Sequence, residues 1–138
     1  MWALCCALLR PLALTAGDPE RRLCQCVCPK TLRASMGAAV RIPVIEAGAM
    51  PDAITRLREK GITCLAAALY KSQPLSAAQA SCPGGVCVVI GSEGQGLTDE
   101  TIAACSSTVR IPMTDRVESL NAGIAGSILL WHFREESL

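Results

Sequence analysis

The run GGVCVVIG at residues 84–91 constrains the fold more than any other stretch of this chain. Its apolar residues follow one another between glycines and leave no polar position to face water. Such a strand must be covered on both faces, as a central strand of a parallel sheet is. Covering both faces calls for helices, and helical signals flank the run. PDAITRLREKG (51–61) opens on Pro51 and Asp52, spaces Ile54 and Leu57 helically, and closes on Gly61. LTDETIAAC (97–105) offers Thr98 as N-cap, with Asp99 and Glu100 in the first turn, where the helix dipole favours acids. Short apolar segments recur between and beyond them: AVRIPVI at 39–45, ITCLAAAL at 62–69 and STVRIPM at 107–113. A last helix is expected from about 119 to about 136. Strand and helix alternate throughout, so the expected class is α/β: a mainly parallel sheet with helices on both faces.

Composition narrows the function classes. The 138 residues suit one domain, and at 51% hydrophobic but 3% aromatic the core must be built from Ala, Val, Ile and Leu. A net charge of +1 gives no global field, so a polyanion would have to be met by a local patch. No apolar run reaches the roughly 20 residues that span a bilayer. Cys64, Cys82, Cys87 and Cys105 stand singly in apolar contexts, which reads as reduced, buried thiols in a cytoplasmic protein. CQCVC, carrying Cys24, Cys26 and Cys28, invites a metal reading, but a second ligand pair is missing and His132 is remote; no metal is expected. The start, MWALCCALLRPLALTAG, lacks a basic n-region and is interrupted by Arg10, which argues against a signal peptide.

Ligands of open α/β sheets gather at the carboxyl ends of the strands. Three segments fall there: residues 69–76, GSEGQG (91–96) and TDRVE (114–118). Glycines 91, 94 and 96 allow tight turning, but Glu93 among them would repel phosphate. The order G-x-x-G-x-G also reverses the dinucleotide fingerprint, which disfavours an oxidoreductase holding a ribose with Asp115. Beyond the third segment, Ser119, Leu120 and Asn121 stand at the entry of the last helix. A helix cap explains one polar side chain there; two leave a second role open.

VVIGSEGQGL, then RIPM, then VESLNAGIAGSILLW resemble, in order and spacing, the second and third signature motifs of the SpoU/TrmH-type RNA ribose 2′-O-methyltransferases of the SPOUT class. PKTLRASMGAAVRIPV is similar to the family's segment after its first motif, and the resemblance covers about residues 29 to 138. It implies an α/β fold with a C-terminal trefoil knot, S-adenosyl-L-methionine as methyl donor, tRNA or rRNA as substrate, and a homodimer whose sites draw on both subunits. Residue by residue it implies that Ile90, Gly91, Gly96, Ile111, Met113 and Leu120 hold the cofactor, an Ile/Met/Leu wall suiting flat adenine. Glu93, Ser119 and Asn121 match the polar residues that position ribose and the catalytic arginine.

ALLR (7–10) resembles the end of the family's first motif and makes Arg10 the candidate arginine, credited in the family with activating the ribose hydroxyl. A guanidinium stays protonated, so orienting the hydroxyl and stabilising charge is the alternative role. The motif's Asn is replaced by Leu4 and its Gly by Cys6, and Pro11 is costly in a helix unless the helix starts there. Residues 1–28 are therefore expected to be an atypical segment of the catalytic domain, 29–138 its main part. A non-catalytic RNA-binding module that keeps the knot is the rival reading.

Overall fold

The computed structural model describes residues 3–7, 12–16, 29–37, 40–69, 72–78, 85–91, 95–114 and 119–134. In chain order these form β1 (Ala3–Ala7), β2 (Leu12–Ala16), α1 (Pro29–Ala34), β3 (Val44–Glu46), α2 (Met50–Glu59) and β4 (Thr63–Ala67). Then follow β5 (Gln73–Pro74), α3 (Leu75–Ala78), β6 (Val86–Ile90), α4 (Asp99–Ala104), β7 (Ser107–Arg110) and α5 (Ala122–Arg134). Among the described residues all seven strands join one sheet in the order β3-β2-β1-β6-β4-β7-β5. Neighbours pair in parallel except at β1, which runs antiparallel to both β2 and β6.

The run that led the sequence reading is β6, buried at every position between β1 and β4. Its alternation divides the core. Cys87 and Val89 join Ile54, Cys64, Ala66 and Cys105 on the face covered by α2 and α4. Val86, Val88 and Ile90 join Leu65, Val109, Leu129 and Phe133 on the face covered by α3 and α5. Each such aliphatic side chain contributes about 1.5–3 kcal/mol of transfer free energy, so the two-sided cover is what holds the sheet.

The helix ends follow the local chemistry. Gly61 has φ +80, its N–H donates to the Arg58 carbonyl at 2.9 Å, and the Ile62 N–H donates to the Leu57 carbonyl at 3.1 Å, the paired bonds of a Schellman stop. Thr98 caps α4, its Oγ1 accepting from the Thr101 N–H at 3.3 Å. α5 begins at Ala122 rather than 119, because Asn121 is the cap and Ser119 and Leu120 before it are not helical.

Several expected strands are shorter, and proline explains two of them. Of the expected 39–45 segment only Val44 and Ile45 are described as strand, in a β3 that starts after Pro43 and runs to Glu46; β7 ends at Arg110, two residues before Pro112. β5 and the start of α3 fall within the 69–76 segment; Pro74 is accommodated because β5 is an edge strand. Around Pro11 the described backbone is strand, not helix, on both sides. Cys87 corrects the expectation of a reduced thiol: it is disulfide-bonded, which its apolar sequence context does not signal. Cys64 and Cys105 are free and buried, as read.

Candidate functional site at the carboxyl edge of the sheet

The parallel strands β6, β4 and β7 end at one edge, and a cavity of about 750 Å³ opens there. Its walls come from the segments leaving those strands and from the first half of α5. Ala67 closes β4, and Ala68 and Leu69 follow it; Ile90 closes β6; Gln95, Gly96 and Leu97 lead into α4; Ile111 and Met113 follow β7. From α5 come Ala122, Ala125 and Leu129, spaced three and four residues apart on one face. The two alanines keep that wall low, which leaves the cavity its width.

Two local devices shape the rim. Gly91 packs against the backbone of Gly96 so closely that an added Cβ would lie 2.6 Å from the Leu97 nitrogen, and closer still to Gly96. Only glycine allows this approach. It brings the two ends of the 91–96 loop together, and Gly96 itself has φ +64. At the other side Asn121 Oδ1 accepts from the Gly123 N–H at 2.9 Å and the Ile124 N–H at 3.3 Å, fixing the chain that carries Ser119 and Leu120. The bland reading of the S-L-N triplet is thus real: Asn121 is a cap. Ser119 and Leu120 line the cavity along with it.

The expected site residues therefore divide in three. Ile90, Gly96, Ile111, Met113, Ser119, Leu120 and Asn121 line this one cavity. Gly91 does not line it but supports Gly96 from behind. Arg10 and Glu93 lie outside the described residues, as does Asp115. Sequence reasoning passed over Asp99 and Arg110, which also line the cavity; Asp99 read only as a helix-dipole acid and Arg110 as a strand residue. The last helix was legible in the sequence, but its small residues were not read as a cavity wall.

An apolar wall with a polar rim at the strand ends is where an α/β protein holds a nucleoside-sized ligand. Residues 19–131 match the SpoU rRNA Methylase family, and the chain belongs to that family. Among named relatives, an uncharacterised tRNA/rRNA methyltransferase of Synechocystis is 30% identical over 94% of this chain and 47% of its own length. One from Mycobacterium leprae is 34% identical over 90% of this chain and 40% of its own. The chain thus spans less than half the length of these relatives. Among solved structures, an rRNA methyltransferase from Sinorhizobium meliloti superposes with a TM-score of 0.79 at 27% identity, over 92% of this chain and 46% of that one. A structure of an rRNA methyltransferase from the same organism with S-adenosylmethionine bound gives a TM-score of 0.77 at 25% identity, over 91% and 46%.

Proposed function

We propose that this chain carries the methyl-transfer site of an RNA ribose 2′-O-methyltransferase that uses S-adenosylmethionine and acts on tRNA or rRNA. The observation that carries the reading is the convergence of Ile90, Gln95 and Gly96, of Ile111 and Met113, and of Ser119, Leu120 and Asn121 on one cavity. Its volume, about 750 Å³, falls in the range of small-molecule sites, and its composition suits the cofactor. Ile90, Ile111, Met113 and Leu120 offer an apolar slot for adenine, while the polar rim faces the opening. The cofactor's sulfonium supplies an activated methyl group. The protein's own task is alignment of a ribose hydroxyl and management of its proton.

In this reading Asn121, already held by its cap bonds, presents a fixed edge to the ribose, and Ser119 beside it is exposed and able to donate or accept. Glu93 and Arg10 complete the set as positioning and charge-stabilising groups, Arg10 from a second copy of the chain. The same reading includes a homodimer, the family's C-terminal trefoil knot and a cytoplasmic setting. Among the described residues no helix is long and apolar enough to cross a membrane.

One observation favours a second reading. Leu4 stands where the family's first motif has Asn, and the segment after it forms β2, antiparallel to β1. A non-catalytic RNA-binding module that keeps the cofactor cavity would have that character. Calorimetry with S-adenosylhomocysteine tests the part both readings share. Binding in the micromolar range, with a rise in melting temperature by mass action, is expected. Leu120→Asp, which sets a carboxylate against the adenine slot, should abolish both effects; unchanged binding in that variant would mean that the motif has been misassigned.

A further inference from the structure

The cavity has an apolar side and a charged side, and only two charged residues line it among those described: Asp99 and Arg110. Both belong to the same side. Val109 and Ile111 pack in the α5-facing cluster, so Arg110 between them projects toward the opposite face, where α4 lies. Asp99 is the first residue of α4, and its neighbours Leu97 and Ile102 pack in the α4-facing cluster. Both mounts are firm. Arg110 ends a strand whose preceding residue is 1% exposed, and the Thr98 cap, with Thr98 Oγ1 2.8 Å from Thr101 Oγ1, fixes the start of α4. Both side chains are exposed, and neither engages in an ion pair among the described residues. Among the described residues, one cation and one anion thus stand beside an apolar slot without an ion-pair partner.

A ligand with adenine at one end and a zwitterionic amino acid at the other matches that layout. We infer that Arg110 binds the α-carboxylate and Asp99 the α-ammonium of the cofactor's amino-acid part, making this pair the determinant that separates S-adenosyl amino acids from other adenosines. The inference rests on the S-adenosylmethionine reading above and adds which end of the cavity reads which end of the ligand. Guanidinium on carboxylate is the stronger contact, being capable of two parallel hydrogen bonds. Because both residues are exposed, the pairing is screened by salt.

The test is titration calorimetry of the full chain with two ligands. S-adenosylhomocysteine carries the amino-acid part; 5′-methylthioadenosine shares the adenosine and the thioether but lacks it. Arg110→Gln and Asp99→Asn should each weaken S-adenosylhomocysteine binding about tenfold and leave 5′-methylthioadenosine binding at the wild-type value. Raising the salt concentration should weaken the first ligand in wild type and not the second. Equal loss for both ligands, or loss for neither, overturns the pairing. So does an Arg110→Gln variant that keeps its cofactor affinity but loses RNA, which reassigns the arginine to the nucleic acid. Wild-type protein that binds neither ligand rejects the cofactor reading itself, and that result is recognisable before any variant is made.

Discussion

Met36 has φ 51, a left-handed backbone that L side chains avoid, and its side chain is 88% exposed. Nothing is gained from the side chain in that position, so Met36→Gly should stabilise the fold by about 0.5–1 kcal/mol, read from the midpoint of urea unfolding. Gly91 is the opposite case. Its backbone lies on Gly96, so Gly91→Ala should cost about 1–3 kcal/mol and weaken ligand binding by displacing the rim. The two free thiols under α2 and α4 govern the alkaline limb of stability. Cys64 is pushed up to about 11 and Cys105 up to about 12, chiefly by burial; the thiolate of Cys64 adds to the rise of Cys105, and Arg58 opposes both shifts. The unfolded chain releases these protons near the ordinary value of 9.0, while the folded chain retains them. Their contribution is therefore whole below that pH and is lost as pH rises toward 11 and 12. Cys64→Ala should flatten the decline of unfolding free energy above pH 9, whatever it does to stability at neutral pH.

α5 serves the fold with one face and the cavity with another part of the same turn sequence. Leu129 and Phe133 anchor it to β6 and β7, and Leu129→Ala should cost about 2–5 kcal/mol. Ala125 is on the cavity side, so Ala125→Phe should leave the melting temperature near wild type while excluding S-adenosylhomocysteine. The cap at its start separates two roles of one residue. Asp caps as well as Asn does, so Asn121→Asp should keep the helix, whereas Asn121→Ala should lose about 1 kcal/mol. If Asn121 also positions ribose, methyl transfer should fall in the Asp variant despite its intact stability; full activity there would reduce the residue to a cap. The same element shows what was legible in sequence. Gly61, Thr98 and the run at 86–90 are local signals, and each marks the feature it marked on paper. The antiparallel entry of β1 beside β6 and the edge strand β5 depend on partners distant in sequence, which no local pattern encodes. Asp99 and Arg110 escaped for the same reason: their common side of the cavity exists only once β7 and α4 lie on one sheet.

At the scale of the whole molecule, α5 leaves Ile124, Ile128 and Trp131 outside the core, at positions i, i+4 and i+7 of one stripe, with Trp131 61% exposed. We propose that this stripe forms part of an isologous interface in the homodimer in which a second chain would bring Arg10 to the cavity. Light scattering should give twice the chain mass at micromolar concentration, and Trp131→Glu should return it to one chain; a monomeric wild type would remove the shared site. In the proposed function the sheet is a platform that would hold the cofactor slot at its carboxyl edge and leave the rim for RNA. The most direct measurement of that claim is transfer of radiolabel from methyl-labelled S-adenosylmethionine to unmodified tRNA and rRNA, followed by digestion to nucleosides. The account predicts label in a 2′-O-methylnucleoside, lost in Arg10→Ala while that variant's affinity for S-adenosylhomocysteine stays near wild type. Wild-type protein that binds the cofactor yet labels no RNA, or that labels a base instead of a ribose, would contradict it.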